Sequence, residues 1–243
     1  YKQKEKAHHI IREYHQKYGV FAKKSTIKYV LRDCKIVKNA LEHDMRHLIL
    51  NVTDNCNMRC KYCTFGDNYP YAKSYADTKM SFSIMKMGMD YFFQHAKNSQ
   101  KVYISFYGGE PLLNFDLVKR GTEYAVELSK KHKKKVQFRI TTNFTLVTSE
   151  ILRFLIQNNF YITVSLNGPK EIHDRERIFK NGQGTFDTIM QNLRLLKRIS
   201  ADYFSKHVSY NVVVTPPFEL LKLRDFFNNF SVQDRTTFKY FLT

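Results

Sequence analysis

Short apolar runs typical of β-strands alternate with amphipathic helical patterns along most of this 243-residue chain. Six runs have strand character, at residues 47–52, 102–107, 136–141, 161–165, 209–214 and 238–242. Strands that alternate with helices form right-handed βαβ units and a parallel sheet. We therefore predict an α/β fold with an open sheet or a full or partial barrel. Ligand chemistry in such folds lies at the carboxyl ends of the strands.

Three segments between the strands have apolar residues spaced about 3.6 positions apart and predict helices. The residues concerned are Ile84, Met87, Gly88 and Tyr91; Leu117, Gly121, Ala125 and Leu128; and Ile189, Leu193 and Leu196. Ser81 and Ser149 are predicted helix N-caps. We interpret Met80, Met85, Met87 and Met89 as core packing. Residues 1–45 predict a basic extension with a helix at 5–18 and a mixed segment that contains 27–31.

Cys56, Cys60 and Cys63 directly follow the first predicted strand with the spacing C-x3-C-x2-C. Thiolates hold iron–sulfur clusters, and a cubane cluster usually takes four of them. A loop that offers three leaves one iron open to another ligand, which indicates chemistry rather than plain electron transfer. The polar residues between the cysteines argue against ordinary buried thiols.

Zinc is the main alternative for these thiolates, because structural zinc is bound by four cysteines or by three cysteines and a histidine. Zinc motifs usually consist of two pairs of closely spaced ligands. The remaining cysteine, Cys34, lies well upstream and has no close cysteine partner in the sequence. We interpret Cys34 as a structural residue. Four cysteines are too few for a disulfide framework, and the pattern favours a metal site in a reducing compartment.

The net charge of +18 predicts attraction of an acidic partner, such as an acidic peptide, a nucleic acid or an anionic membrane face. The sequence contains no stretch of about 18 apolar residues, so no membrane span is predicted. Basic residues are not interleaved with aromatic residues as they are in single-stranded nucleic-acid platforms, so nucleic acid is the second choice.

The turn Gly108-Gly109-Glu110 directly follows the second predicted strand, so it shares one rim with the cysteine loop. Adjacent glycines let the backbone approach a ligand closely. With these motifs, and with Tyr62 just before the last cysteine, the chain resembles the radical S-adenosylmethionine enzymes. The resemblance implies that the three cysteines bind a [4Fe–4S] cluster. It also implies that the open iron binds S-adenosylmethionine and that the Gly-Gly-Glu turn holds its amino group.

Further motifs resemble the peptide-maturase branch, which contains sulfatase-maturating and ribosomal-peptide-modifying enzymes. They are Thr142-Asn143, the segment 165–169, His173-Asp174 and Arg177. The resemblance implies that Tyr62 and Asn143 belong to the cofactor-binding site and that Ser165 and Arg177 contact S-adenosylmethionine. Asn167 stands where this branch usually has Asp, and Phe144 where it usually has Gly.

The resemblance implies a partial (β/α)6 barrel at residues 46–243, preceded by the extension at 1–45. No cysteine follows Cys63, so either the protein has no auxiliary clusters or they belong to a carboxy-terminal domain beyond this chain. We expect a chain truncated before such a domain, because residues 238–243 resemble a strand that ends without its helix. The expected function is reductive cleavage of S-adenosylmethionine to a 5′-deoxyadenosyl radical, which modifies a peptide or protein side chain by crosslinking, thioether formation or oxidation.

The expected partners are a peptide substrate, which can carry an acidic leader, and a low-potential electron donor. The expected location is the cytoplasm. No residue is assigned a catalytic role. The alternatives are an RNA-modifying member of the same superfamily and a zinc-stabilised basic binding module.

Overall fold

The computed structural model describes residues 2–18, 34–66, 69 and 75–234. The chain divides into two compact units, Tyr1–Lys38 and Asn39–Thr243. The first unit contains helix α1 (Lys2–Tyr18), which begins three residues before the predicted helix. Helix α2 (Cys34–His43) crosses the division between the units. The predicted segment 27–31 lies outside the described residues.

The second unit contains a parallel sheet with the strand order β1-β2-β3-β4-β5. The strands are β1 (His47–Thr53), β2 (Lys101–Gly108), β3 (Lys135–Thr142), β4 (Tyr161–Ser165) and β5 (Val208–Asn211). The first five of the six predicted strands are confirmed, although β5 ends three residues before the predicted boundary. The described sheet is open, as expected for an α/β partial barrel. The sixth predicted strand, 238–242, lies outside the described residues.

Helices connect the strands, and each parallel crossover contains at least one of them. They are α3 (Phe82–His95), α4 (Phe115–Lys131), α5 (Ser149–Gln157), α6 (Lys170–Glu176), α7 (Phe186–Ile199) and α8 (Ala201–His207). A further helix, α9 (Leu220–Asp234), follows β5. Ser81 caps α3, because its side chain accepts a hydrogen bond from the Ile84 amide. The predicted cap Ser149 is wrong: Thr148 has the extended conformation of a cap and accepts from the Ile151 amide. No helix in the described part of the chain is both long and apolar enough to cross a membrane.

Helix α3 is confirmed, but its buried face differs from the predicted apolar positions. The buried side chains are Met85, Met89, Phe92 and Phe93. Ile84, Met87 and Tyr91 are exposed, and Met87, predicted as core packing, is 71% exposed. The helix is apolar on two faces, and Gly121 of α4 provides the space that accommodates Met85. Packing against α4 therefore selects the face that local periodicity leaves undetermined.

One face of the sheet is covered by the helices and forms the core. Its central row is aligned by the register of the strands and is buried: Leu50, Phe106, Ile140, Ile162 and Val208. Because strand side chains alternate between faces, the neighbouring positions lie on the opposite face. The corresponding row there is Ile49, Ser105, Arg139 and Tyr161.

Candidate functional site

A cavity of about 470 Å³ lies at the carboxyl ends of the strands. Its wall contains all the residues predicted from sequence to bind a metal or cofactor except Glu110. They are Cys56, Cys60, Tyr62, Cys63, Gly108, Gly109, Asn143, Ser165 and Arg177. This volume is within the usual range for cofactor pockets. The edge of the sheet thus brings together motifs that are more than a hundred residues apart in sequence.

The cysteine loop is largely removed from solvent. Cys56 and Cys60 are each 8% exposed. Burial raises the pKa of the Cys56 thiol to about 11, although the Met58 amide opposes this by donating to its sulfur. Burial also raises the pKa of Cys60. A protonated thiol is therefore the stable form here unless a cation compensates the thiolate.

Arg59 folds the cysteine loop back on itself. Its Nη1 atom donates to the carbonyl oxygens of Cys56 and Met58, at 2.9 and 2.7 Å. The guanidinium lies 4.0 Å from the centre of the Tyr75 ring. Tyr75 and Cys63 both line the cavity. Arg59 therefore positions the loop and does not itself line the cavity.

The segment that contains Arg177 is tied to the cysteine loop by backbone hydrogen bonds. The Arg59 amide donates to the Ile178 carbonyl at 2.8 Å, and the Lys61 amide donates to the Glu176 carbonyl at 2.9 Å. These bonds place Arg177, which is 6% exposed, beside the cysteines.

Arg177 is a buried cation with one side directed to Tyr62. Its Nη1 donates to the Tyr62 hydroxyl at 2.6 Å, and Asn167 Nδ2 donates to the same oxygen at 3.1 Å. Burial lowers the pKa of Arg177, but Cys60 and Tyr62 outweigh it, so the net shift is upward. Among the described residues its Nε has no hydrogen-bond partner. A buried guanidinium with a free donor in a cavity is suited to an anionic ligand.

Gly108 and Gly109 bring the backbone of β2 against the cysteine loop. Gly108 has a φ of 141°, which favours glycine. A Cβ at Gly109 would lie 2.2 Å from the Asn55 carbonyl oxygen. The glycines therefore permit close contact between two loops as well as access to the cavity.

Glu110, predicted to hold the amino group, is fully buried and is not in the cavity wall. Its carboxylate accepts hydrogen bonds from the Leu112 amide, the Thr142 hydroxyl and the Asn143 amide at 2.7–3.0 Å. Burial raises its pKa against the effect of these donors. Glu110 thereby joins the ends of β2 and β3.

Asn143 connects the ends of β2 and β3 to the cysteine loop. Its Nδ2 donates to Asn57 Oδ1 at 2.8 Å and lies 3.9 Å from the Cys56 sulfur. Phe144, which departs from the resembled pattern, has a φ of 61° and is buried. The left-handed conformation that favours glycine is therefore retained here by a core phenylalanine.

The donor set fits an iron–sulfur cluster better than a single metal ion. Within the described residues, no group of three or more His, Cys, Asp or Glu side chains is placed to hold one metal ion. Structural zinc requires four ligands around one ion. The three cysteines instead border one cavity, as a polynuclear cluster held by three thiolates requires, and the buried cation of Arg177 lies in the same wall.

Sequence reasoning missed several cavity residues. Tyr107, Thr141 and Asn211 lie near the carboxyl ends of β2, β3 and β5, and Val213 follows β5. The rule that ligands meet these strand ends would have indicated Asn211 as a candidate.

Comparison with known proteins is consistent with this geometry. Residues 50–226 match the Radical SAM superfamily. A cysteine-type anaerobic sulfatase-maturating enzyme of Clostridium novyi is 32% identical over 159 residues, which cover 64% of this chain and 41% of that protein. A serine-type anaerobic sulfatase-maturating enzyme of Bacteroides thetaiotaomicron is 30% identical over 151 residues, or 61% of this chain and 35% of that protein.

The chain thus spans less than half the length of these two relatives. A solved structure of anSMEcpe with bound AdoMet and Kp18Cys peptide shares the fold, with a TM-score of 0.66 and 22% identity. The match covers 81% of this chain and 51% of that one. With more than half of its residues matched, the chain belongs to the radical SAM superfamily of enzymes, which use a [4Fe–4S] cluster and S-adenosylmethionine.

Proposed function

We propose that this chain is the core of an enzyme that cleaves S-adenosylmethionine reductively and modifies a peptide or protein side chain. The observation that carries the proposal is the single cavity shared by the cysteine loop, the Gly108-Gly109 turn, Ser165 and Arg177. The similarity to sulfatase-maturating enzymes supports a peptide or protein substrate. The proposed product is a crosslink, a thioether or an oxidised side chain.

In this proposal Cys56, Cys60 and Cys63 hold the cluster, and Arg177 and Ser165 hold the carboxylate of S-adenosylmethionine. When bound there, a reduced [4Fe–4S] cluster would supply the single electron needed for the reductive cleavage of S-adenosylmethionine, and with it the radical chemistry that modifies the substrate. Tyr62 orients Arg177 by accepting its hydrogen bond.

The glycines let the backbone approach the amino group of S-adenosylmethionine. Since the Glu110 carboxylate is engaged by Leu112, Thr142 and Asn143, we assign it the role of holding the turn.

Residues 46–243 form the radical SAM core, and residues 1–45 form a basic extension. A low-potential donor supplies the electron, and a reducing cytoplasm preserves the thiolates. The substrate carries an acidic leader segment attracted by the net charge of +18.

The test is anaerobic reconstitution with iron and sulfide, followed by dithionite and S-adenosylmethionine, with 5′-deoxyadenosine as the assayed product. The native chain is expected to form 5′-deoxyadenosine, Cys60→Ala to form none, and the control Cys34→Ala to retain the native rate. Uptake of zinc in place of iron, or equal losses in both variants, would contradict the proposal.

A further inference from the structure

The face of the sheet opposite the helices carries an exposed cation. Parallel sheets are normally covered on both faces, yet Arg139 is exposed on β3, the central strand. Its neighbours in the row are also accessible: Ile49 is 62% and Tyr161 38% exposed. Two apolar side chains and a guanidinium in one accessible row have the composition of a binding surface.

Contacts with the adjacent row hold Arg139 in place. Its Cζ lies 4.7 Å from the centre of the Tyr103 ring, a cation–π contact. His47 Nε2 is 2.6 Å from Ser105 Oγ, which completes a polar cluster on the same face. Among the described residues, no carboxylate forms an ion pair with Arg139. Its guanidinium donors are therefore oriented by Tyr103 but not consumed by an acidic neighbour.

This row is continuous with the cofactor cavity. Tyr107 and Thr141 are the next positions on the same face, and both line the cavity. Thr141 is two residues beyond Arg139, a rise of about 7 Å along the strand. A substrate held against the cavity can therefore reach Arg139 without leaving this face of the sheet.

We infer that Arg139 is a specificity-determining residue that binds an Asp or Glu side chain of the peptide substrate. The planar guanidinium can bind a carboxylate through two parallel hydrogen bonds, and the accessible Ile49 and Tyr161 contact the apolar parts of the same peptide. An extended peptide spans this distance in about two to four residues, so the acidic residue lies that close to the residue that reacts. The inference rests on the proposed function, because the peptide is its substrate.

The test uses a peptide library displayed on mRNA and selected for binding to the reconstituted full-length protein. The native protein is expected to enrich Asp and Glu about fivefold at one position, the effect of a contact worth about 1 kcal/mol. Arg139→Gln removes this enrichment, and Arg139→Glu replaces it with Lys and Arg at the same position. The control Arg153→Glu makes the same charge change on α5, which packs on the other side of the sheet, and keeps the native preference.

The inference would be overturned if the native protein selected peptides without enrichment of Asp and Glu. It would also be overturned if the Arg139 and Arg153 variants lost this enrichment equally, because that would indicate an effect of net charge. Release of the selected peptides by tRNA through Arg139 would indicate phosphate recognition and would overturn it as well. Circular dichroism of each variant verifies folding. The same preparations are assayed for 5′-deoxyadenosine: Arg139-dependent selection without product would contradict the proposed function alone, and product without such selection would contradict the inference alone.

Discussion

Arg177 illustrates how one side chain can serve both the fold and the ligand. It is almost fully buried, and a buried charge is costly unless it is paired and hydrogen-bonded. Tyr62 takes one donor of the fork, and the cysteine loop provides favourable electrostatics. The remaining donors can bind a carboxylate, so we expect the planar shape of the guanidinium to matter for ligand binding as well as its charge.

Arg177→Lys is expected to weaken S-adenosylmethionine binding about tenfold while leaving the iron content unchanged. A lysine keeps the charge but cannot donate to Tyr62 and bind a carboxylate through two parallel hydrogen bonds, a loss of about 1.4 kcal/mol. Anaerobic equilibrium dialysis measures the Kd, and iron and sulfide analysis measures the cluster. Arg175→Lys, two residues away and paired with Glu219, is the control that keeps the native Kd. Equal Kd values for the two variants would contradict this role of Arg177.

His173 connects the segment of Arg177 to the end of β4. Its Nδ1 accepts from the Asn167 amide, and its Nε2 is 3.0 Å from the Thr185 hydroxyl, which donates to the Arg177 carbonyl. Burial, helped by the charge of Arg177, lowers the pKa of His173 to about 3. The neutral ring, with its hydrogen on Nε2, satisfies both contacts.

We expect the free energy of unfolding to decrease as the pH is lowered, because of His173. Between about pH 6.5 and 3 the unfolded chain binds a proton that the folded chain excludes, so this contribution is complete above pH 6.5 and is lost by about 1.4 kcal/mol per unit as the pH falls. His173→Gln lowers stability at pH 7.5 by about 1–3 kcal/mol, through the lost hydrogen bonds. When the pH is lowered from 7.5 to 5, the free energy of unfolding of this variant, measured with urea, decreases less than that of the native chain. Equal slopes would contradict the assignment.

At the scale of elements, the packed helices α3 and α4 each contain a glycine, and the two glycines lie in different surroundings. A Cβ at Gly88 of α3 would have no heavy atom within 4 Å. A Cβ at Gly121 of α4 would lie 2.5 Å from the Met85 sulfur and 3.3 Å from the Phe106 ring. The same substitution therefore has opposite effects on the two helices.

Gly88→Ala is expected to raise the free energy of unfolding by about 0.5–1 kcal/mol, because alanine favours a helix interior over glycine. Gly121→Ala is expected to lower it by about 1–3 kcal/mol, because the methyl group must displace Met85 from the core. Chemical denaturation of both variants provides the comparison. A change of the same sign in both would show that this close approach does not determine the helix pair.

At the scale of the whole molecule, the sheet, the helices that cover it and the cavity all belong to the unit Asn39–Thr243. Every described residue of the core that packs on the sheet belongs to this unit. We therefore expect the sheet to keep its stability without the segment that precedes α2.

Deletion of residues 1–33, which leaves α2 intact, is expected to shift the Tm by less than about 4 °C, a change of about 1 kcal/mol. Calorimetry measures the transition, and iron content verifies that the cysteine loop still binds its cluster. Loss of a cooperative transition would show that the first unit stabilises the core.

The strand positions and the cysteine loop could be predicted from the sequence, since both depend on short-range patterns. Alternating or continuous apolar runs define a strand within a few residues, and the spacing of Cys56, Cys60 and Cys63 restricts their thiols to one loop. The parallel sheet follows from the alternation of strands and helices. This information also placed most of the candidate site residues on one rim.

Tertiary structure alone decided which apolar face of α3 is buried, since that depends on the space left by Gly121. It also turned the Glu110 carboxylate towards Thr142 and Asn143, and it joined Tyr62 to Arg177 across 115 residues of sequence. Periodicity describes each element separately, whereas these contacts depend on the shape and charge of elements that meet only in the folded chain. For the same reason, the accessible position of Arg139 on a central strand could be recognised only once the strand order and register were known.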